Sequence, residues 1–327
     1  MEKQSVDAQG VAGSLRALQV RCGSRNQQED VAHTAKSSRY GWFCRVPPKI
    51  MISGALLFLV LGMAAGGALN LVIDRYPEYL NRTWTAEALE QIGEQEQAIR
   101  ARALRPQLPG PNTRCTQCRG MVTVVLYAPV LSWIVHRGHL ACCGWRVPKR
   151  YFRVEILTGG LWVLSAHVFG ASLDLLPILV LVCGLVVLSF IDLEHYFLPD
   201  QIVGPLLFAG LVANTQFFIA SSLSSSVWGA VGGYLAFWLI HTVHRLLTRE
   251  REGLGMGDCK LMAAIGAWVG VEMLVQTIMI AAGSCLLFSL FQAGTGRNDG
   301  ALRLAFGPWL GMGGLCSIYC GNVFSVL

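Results

Sequence analysis

From Val154 to Leu327 the chain is a near-continuous run of apolar segments, and that one feature leaves few folds open. Segments at 154–170, 173–191, 202–220, 226–243, 273–292 and 304–325 are each near the length that crosses about 30 Å of hydrocarbon. A shorter segment lies at 261–271, with Glu272 at its end, and an isolated one at 51–73. A backbone in lipid must satisfy its own hydrogen bonds, so every segment is predicted to be helical; none alternates as a barrel strand does. With 53% hydrophobic and 14% charged residues, the chain is well below the charged share of about a quarter typical of soluble domains. The expectation is an all-α polytopic membrane protein with about eight transmembrane helices. Disorder, a collagen-like chain and a small disulfide scaffold are excluded. The 11 cysteines are few for this length, and several lie inside apolar segments.

The formal charge is +6, but the basic residues sit between apolar segments, which is a topology pattern and not a nucleic-acid footprint. The lipid bilayer is therefore the expected partner, and nucleic acid is not. Most of the 26 Lys and Arg fall on the side of the bilayer that holds the 74–153 loop, so that loop is predicted to be cytoplasmic. The basic tail ending in Arg45 and Lys49 opposes this bias. Residues 1–50 have low apolar content and no signal-peptide core, and they read as a poorly structured extension. A working protein that starts at Met51 removes the conflict. The organisation is thus an extension at 1–50, a first transmembrane helix at 51–73, a cytoplasmic cysteine-containing loop domain at 74–153, and a membrane domain at 154–327. Within the loop, a polar stretch from Trp84 to Arg105 suits a surface helix. Pro106, Pro109, Gly110 and Pro111 separate it from a cysteine-bearing stretch.

Chemistry enters at two aspartates. Leu175 to Ile191 carries no charge and runs straight into Asp192, followed by Leu198-Pro199-Asp200. Gly255-Met256-Gly257-Asp258-Cys259-Lys260 precedes another apolar segment, where a carboxylate suits a helix start and two glycines allow close backbone approach. Either feature alone is weak. Two crossings separate Asp192 from Asp258, which returns both to one face of the bundle. Two carboxylates there are able to share a proton and activate a water between them, as aspartic proteases do. The same pair also suits a polytopic transporter that uses carboxylates for ion or proton coupling. A non-catalytic assembly factor is a third reading.

Taken together the motifs resemble the type IV prepilin peptidases, membrane aspartic peptidases of the GxGD type. The resemblance rests on Asp192 with Leu198-Pro199-Asp200, the run from Gly255 to Leu261, and Phe306-Gly307-Pro308. Upstream, Ala128-Pro129-Val130-Leu131-Ser132-Trp133 with Arg137-Gly138 is similar to the family's "PVLSW…RG". Arg150-Tyr151 with Val154-Glu155 is similar to "RYPLVE", and Gly66, Leu69-Asn70, Arg75 and Pro77 to "GSFLNV…R.P". The match runs in order from Met51 to the C-terminus. It implies that Asp192 and Asp258 are catalytic and that 154–327 is a peptidase domain in the bacterial inner membrane, its active site facing the cytoplasm. The implied substrates are type IV prepilins or type II secretion pseudopilin precursors, which lose a leader peptide. The long first loop implies N-methylation of the new N-terminus from S-adenosylmethionine, with Arg150 and Glu155 as the loop positions serving methyl transfer.

The family also implies two C-x-x-C pairs in the loop, a spacing suited to tetrahedral zinc. Cys115 and Cys118 preserve the first pair. In the second, Leu140 stands where the third cysteine belongs, while Cys143 matches the fourth and Cys142 is an extra neighbour. The expected zinc ligands are Cys115, Cys118, Cys142 and Cys143, with His136 or His139 as a substitute donor. Phe152, Gly67-Ala68 and Ala305 also depart from the family pattern, and none touches the aspartates. Glu194 and His195 read as surface residues, and Lys260 as either a partner of an aspartate or a snorkelling side chain.

Overall fold

The computed structural model describes residues 52–103, 118, 143, 148–216, 222–248, 255–294 and 304–322. The extension at 1–50, Cys115, Cys142 and most of the 74–153 loop lie outside the described residues. Those described form helices and connecting turns, which agrees with an all-α fold.

Helix α1, Ile52–Gln91, is 40 residues long, about 60 Å at 1.5 Å per residue and twice the hydrocarbon thickness. The predicted boundary at residue 73 is therefore not a break. Pro77 sits inside the helix, and the polar half gains an i, i+4 pair, Arg82 to Glu78 at 3.0 Å. After a turn at Gly93 (φ 84°), α2, Gln95–Ala103, folds back, with Arg102 paired to Glu90 at 2.6 Å. The surface helix expected over 84–105 is thus split between the end of α1 and α2.

Helix α3, Lys149–Phe169, lies against α1 through small residues. A Cβ on Gly62 would sit 2.8 Å from the Gly159 backbone, and one on Gly66 2.8 Å from Glu155 Cα. The G-x-x-x-G spacing of Gly62 and Gly66 is the usual device by which helices in lipid approach closely. Helix α4, Leu175–His195, buries Ile178, Leu181, Val182, Leu185, Leu188 and Ile191 in the central core. It ends where Tyr196 turns left-handed (φ 55°) and donates its N–H to the Asp192 carbonyl at 2.9 Å. Helices α5, Asp200–Gln216, and α6, Leu223–Thr248, then lead to α7, Met256–Val269.

Helix α7 is the axis of this part of the bundle. Every residue from Leu261 to Val269 is buried, and α5, α6 and α9 pack around it. Gly229 and Gly266 let α6 and α7 touch backbone to backbone: a Cβ on Gly266 would stand 2.2 Å from the Gly229 carbonyl oxygen. On the α5 side, Trp268 Nε1 donates to the Leu206 carbonyl at 2.9 Å, and Asn214 Nδ2 to the carbonyls of Ala267 and Trp268 at 3.0 Å each. At 14 residues, about 21 Å, α7 is too short to cross the bilayer alone. A 3₁₀ turn at Val271–Met273 leads into α8, Leu274–Gly294, and α9, Gly307–Cys320, closes the described chain.

Among the described residues, four stretches are long and apolar enough to cross a membrane: Ser53–Gln91, Leu175–His195, Leu223–Leu247 and Val271–Gly294. Their outward faces carry exposed apolar side chains such as Leu57, Val180, Trp238 and Phe291, as lipid-facing surfaces do. The other expected spans fall on α3, which opens with Lys149, Arg150, Arg153 and Glu155, and on the shorter α5, α7 and α9.

Candidate active site

Asp192 lies in the last turn of α4 and Asp258 in the first turn of α7. Both are nearly covered, at 6% and 9% exposed, and both line one pocket of about 420 Å³. The two aspartates expected to share one face of the bundle thus lie on the same pocket.

Each carboxylate is held by a backbone N–H that a glycine supplies. Gly307 N–H, at the start of α9, donates to Asp192 Oδ2 at 2.8 Å. A Cβ on Gly307 would stand 2.7 Å from that oxygen, so this position needs a residue without a side chain. The Phe306-Gly307-Pro308 motif thus acts by bringing bare backbone to the first aspartate at a helix N-terminus, where the unpaired N–H groups favour negative charge. Gly255 N–H donates to Asp258 Oδ2 at 3.2 Å, the reach-back bond of a residue three places into a helix. Gly257 faces the third motif: a Cβ there would meet the Leu198 side chain at 3.1 Å. The Leu198-Pro199-Asp200 turn and the Gly255-Gly257 turn both contribute to the pocket lining.

Lys260 makes an ion pair with Asp200, its Nζ 2.8 and 2.7 Å from the two carboxylate oxygens. It is therefore a partner of the pocket's outer carboxylate and not of the catalytic candidates. Among the described residues no Lys, Arg or His pairs with Asp192 or Asp258.

A second charged group lies two residues on from Asp192. Arg150 on α3 binds Asp74 of α1 and Glu194 of α4, and the Tyr151 hydroxyl also donates to Asp74. Glu194 is thus not a plain surface residue; it ties the end of α4 to α3. His195 stays exposed, its ring 6.1 Å from that of Phe197. Glu155 is wholly buried on α3 beside Gly66 of α1. Neither Arg150 nor Glu155 lines the pocket, and Arg150 is already engaged by two carboxylates.

Of the expected zinc ligands, Cys118 and Cys143 are described, both exposed and neither in a disulfide. Among the described residues no group of three or more His, Cys, Asp or Glu is placed to hold a metal. The thiolate chemistry of the set Cys115, Cys118, Cys142 and Cys143 suits zinc, but its other two members lie outside the described residues.

The pocket also takes a residue from a stretch of chain that no motif read from the sequence covers. Trp84, far along α1, lines the pocket and meets Phe197 edge to face, with ring centres 5.7 Å apart. Its only sequence signal is an aromatic residue in an otherwise polar stretch.

A membrane bundle with two convergent aspartates at glycine-set helix ends defines a narrow class, and comparison with known proteins identifies it. The Type IV leader peptidase family matches residues 179–290, and the Bacterial Peptidase A24 N-terminal domain matches residues 60–169. A prepilin leader peptidase/N-methyltransferase of Stutzerimonas stutzeri is 34% identical over 280 residues, covering 84% of this chain and 95% of the relative. Proteins of the same name from Burkholderia pseudomallei (strain 1026b) and Dickeya chrysanthemi are 36% and 38% identical, over 90% and 83% of this chain and 94% and 93% of theirs. The chain belongs to the type IV leader peptidase family. No solved structure matches it.

Proposed function

We propose that this protein is an aspartic endopeptidase that removes the leader peptide from type IV prepilins or type II secretion pseudopilins, and that it methylates the new N-terminus. The observation that carries the peptidase half is the convergence of Asp192 and Asp258 on one pocket. In the proposed reaction the pair holds one proton between two carboxylates. The ionised member takes a proton from a water as its oxygen attacks the scissile carbonyl, and the protonated member gives its proton to the carbonyl oxygen. Collapse of the tetrahedral intermediate then breaks the C–N bond as the leaving amine takes a proton back from the pair. The pocket lies at the helix ends that carry the two carboxylates, and in this reading the water and the peptide enter there. Family membership gives the transporter reading no support.

The methyltransferase half is supported by the match over 60–169 and by the names of the relatives. S-adenosylmethionine is the proposed methyl donor. Arg150 and Glu155 serve methyl transfer in this reading by fixing α3 against α1 and α4. Zinc on Cys115, Cys118, Cys142 and Cys143 holds the loop. The chain makes about eight passes through the inner membrane, α3, α5 and α9 adding to the four long apolar helices and the short α7 entering the bilayer together with the turn that follows it, with the pocket on the cytoplasmic side.

The test is mass spectrometry of a purified prepilin incubated with the detergent-solubilised protein and S-adenosylmethionine. Loss of the leader and a gain of one methyl group are expected; an uncleaved precursor refutes the reading. In the same assay Cys115→Ser with Cys118→Ser should lower methylation far more than cleavage, with loss of about one zinc per chain by metal analysis.

A further inference from the structure

The two family matches divide the chain between residues 169 and 179, with both aspartates on the later side. The pocket does not respect that division. Because α1 continues as helix past Ile73 to Gln91, it lifts Trp84 about 16 Å beyond the end of the apolar segment. That places the indole at the mouth of the pocket. Trp84 is 47% exposed, so part of its ring is open to a ligand in the pocket it lines. It is nevertheless positioned: its ring meets Phe197 edge to face, and Phe197 follows Asp192 by five residues in the turn that lines the same pocket. Met256, 44% exposed in the first turn of α7, lines it as well. The charged residues of the lining are the two aspartates and the Asp200–Lys260 pair. The pocket therefore carries carboxylates and, beside them, an exposed apolar shelf whose largest member comes from the N-terminal part of the chain.

We propose that Trp84 is a substrate-positioning residue of the peptidase, its indole forming with Phe197 and Met256 the shelf that receives a large apolar side chain flanking the scissile bond. This rests on the leader-peptidase reading and deepens it. A rigid aromatic at a pocket mouth gains most from covering an apolar side chain, since both surfaces leave water together. It has no group to move a proton, so its contribution is to binding and register. The peptidase site is then shared between the two parts of the chain.

The experiment measures leader cleavage by the full-length protein in detergent. Trp84→Ala and Trp84→Phe are compared with wild type on two purified prepilins, one with a large apolar residue flanking the cut and one with Ala in its place. On the first precursor, Trp84→Ala should lower kcat/KM about tenfold, chiefly through KM, and Trp84→Phe should restore most of it. On the Ala precursor, wild type and Trp84→Ala should agree within about twofold. Equal rates for wild type and Trp84→Ala on both precursors overturn the proposal. So does a loss in kcat of the same size on both that Trp84→Phe does not restore, which is the mark of a merely structural residue. Wild type that cleaves neither precursor removes the leader-peptidase reading itself and the shelf with it, an outcome distinct from either of these.

Discussion

Two pairs of acidic residues meet near the end of α4, and the protein treats them in opposite ways. Asp74 and Glu194 converge on the Arg150 guanidinium, with the Tyr151 hydroxyl as a further donor to Asp74. Asp192 and Asp258 converge on a pocket, and each receives a single backbone N–H from a glycine. The first pair shares one cation and bridges three helices; the second has no cation among the described residues and lines the pocket. Carboxylates that are paired with a cation hold a fold together, whereas carboxylates left to each other are forced to share a proton. Sequence neighbours can thus have unrelated tasks: Asp192 and Glu194 are two residues apart and belong to different groups.

The largest expected effect comes from removing a member of the unpaired group. Asp192→Asn and Asp258→Asn should each lower leader cleavage by at least about a thousandfold, because an amide cannot exchange the proton. Size-exclusion profiles should stay unchanged, since each carboxylate makes only one described hydrogen bond to the protein. Cleavage by either variant within tenfold of wild type breaks the comparison at its root.

Gly307→Ala probes the same carboxylate from outside. The added carbon would stand 2.7 Å from Asp192 Oδ2, so either the carboxylate turns away or the start of α9 retreats and its N–H is lost. A drop in kcat of about 10- to 100-fold is expected, with little change in KM. A fall in KM affinity with kcat intact would mean that Gly307 supports binding instead.

How much of this was readable beforehand depended on whether a feature is local in the chain. The two aspartates and the Gly255-Gly257 turn belong to contiguous motifs that line one pocket, and Phe306-Gly307-Pro308 reaches it through the Gly307 N–H on Asp192. The end of α1 was not readable, because Asp74, Arg75 and Pro77 look like a membrane exit and a helix stop. They are an exit from the apolar segment only; the helix runs on, since a proline within a long helix is tolerated when neighbouring contacts support the turn. Trp84 was missed for the same reason. The Asp74, Arg150 and Glu194 group joins three helices, and no spacing rule links positions that far apart. Gly62 with Gly66, and Gly229 with Gly233, have G-x-x-x-G spacing that the sequence reading passed over, and only packing shows which helix each one meets.

Arg150→Ala tests the paired group. Without the guanidinium, Asp74 and Glu194 lose their shared cation and the end of α4 loses its tie to α3. The expected result is a fall in the thermal midpoint by several degrees and a marked loss of methylation, with cleavage reduced no more than about threefold. Arg150→Lys should recover part of the midpoint but not all of it, because a single ammonium cannot fork between two carboxylates as a guanidinium does. A loss of cleavage as deep as that of Asp192→Asn would merge the two groups into one functional unit.

The smallest effect is expected at the pocket's outer edge, where Asp200 and Lys260 form an ion pair of the ordinary exposed kind. Their side chains are 61% and 42% exposed, so water and salt already screen the attraction and holding two side chains in one geometry offsets part of it. Asp200→Asn and Lys260→Met should each leave kcat/KM within about threefold of wild type at moderate salt. The pair still sits beside a pocket that takes a charged leader in the proposed reaction, so removing one partner leaves the other to attract or repel that leader. The two variants should therefore shift KM in opposite directions at low salt and converge on wild type as salt is raised. If instead either one matches Asp258→Asn in its loss of kcat, the pair is part of the proton chemistry, and Lys260 must be counted as the cation that the inner carboxylates otherwise lack.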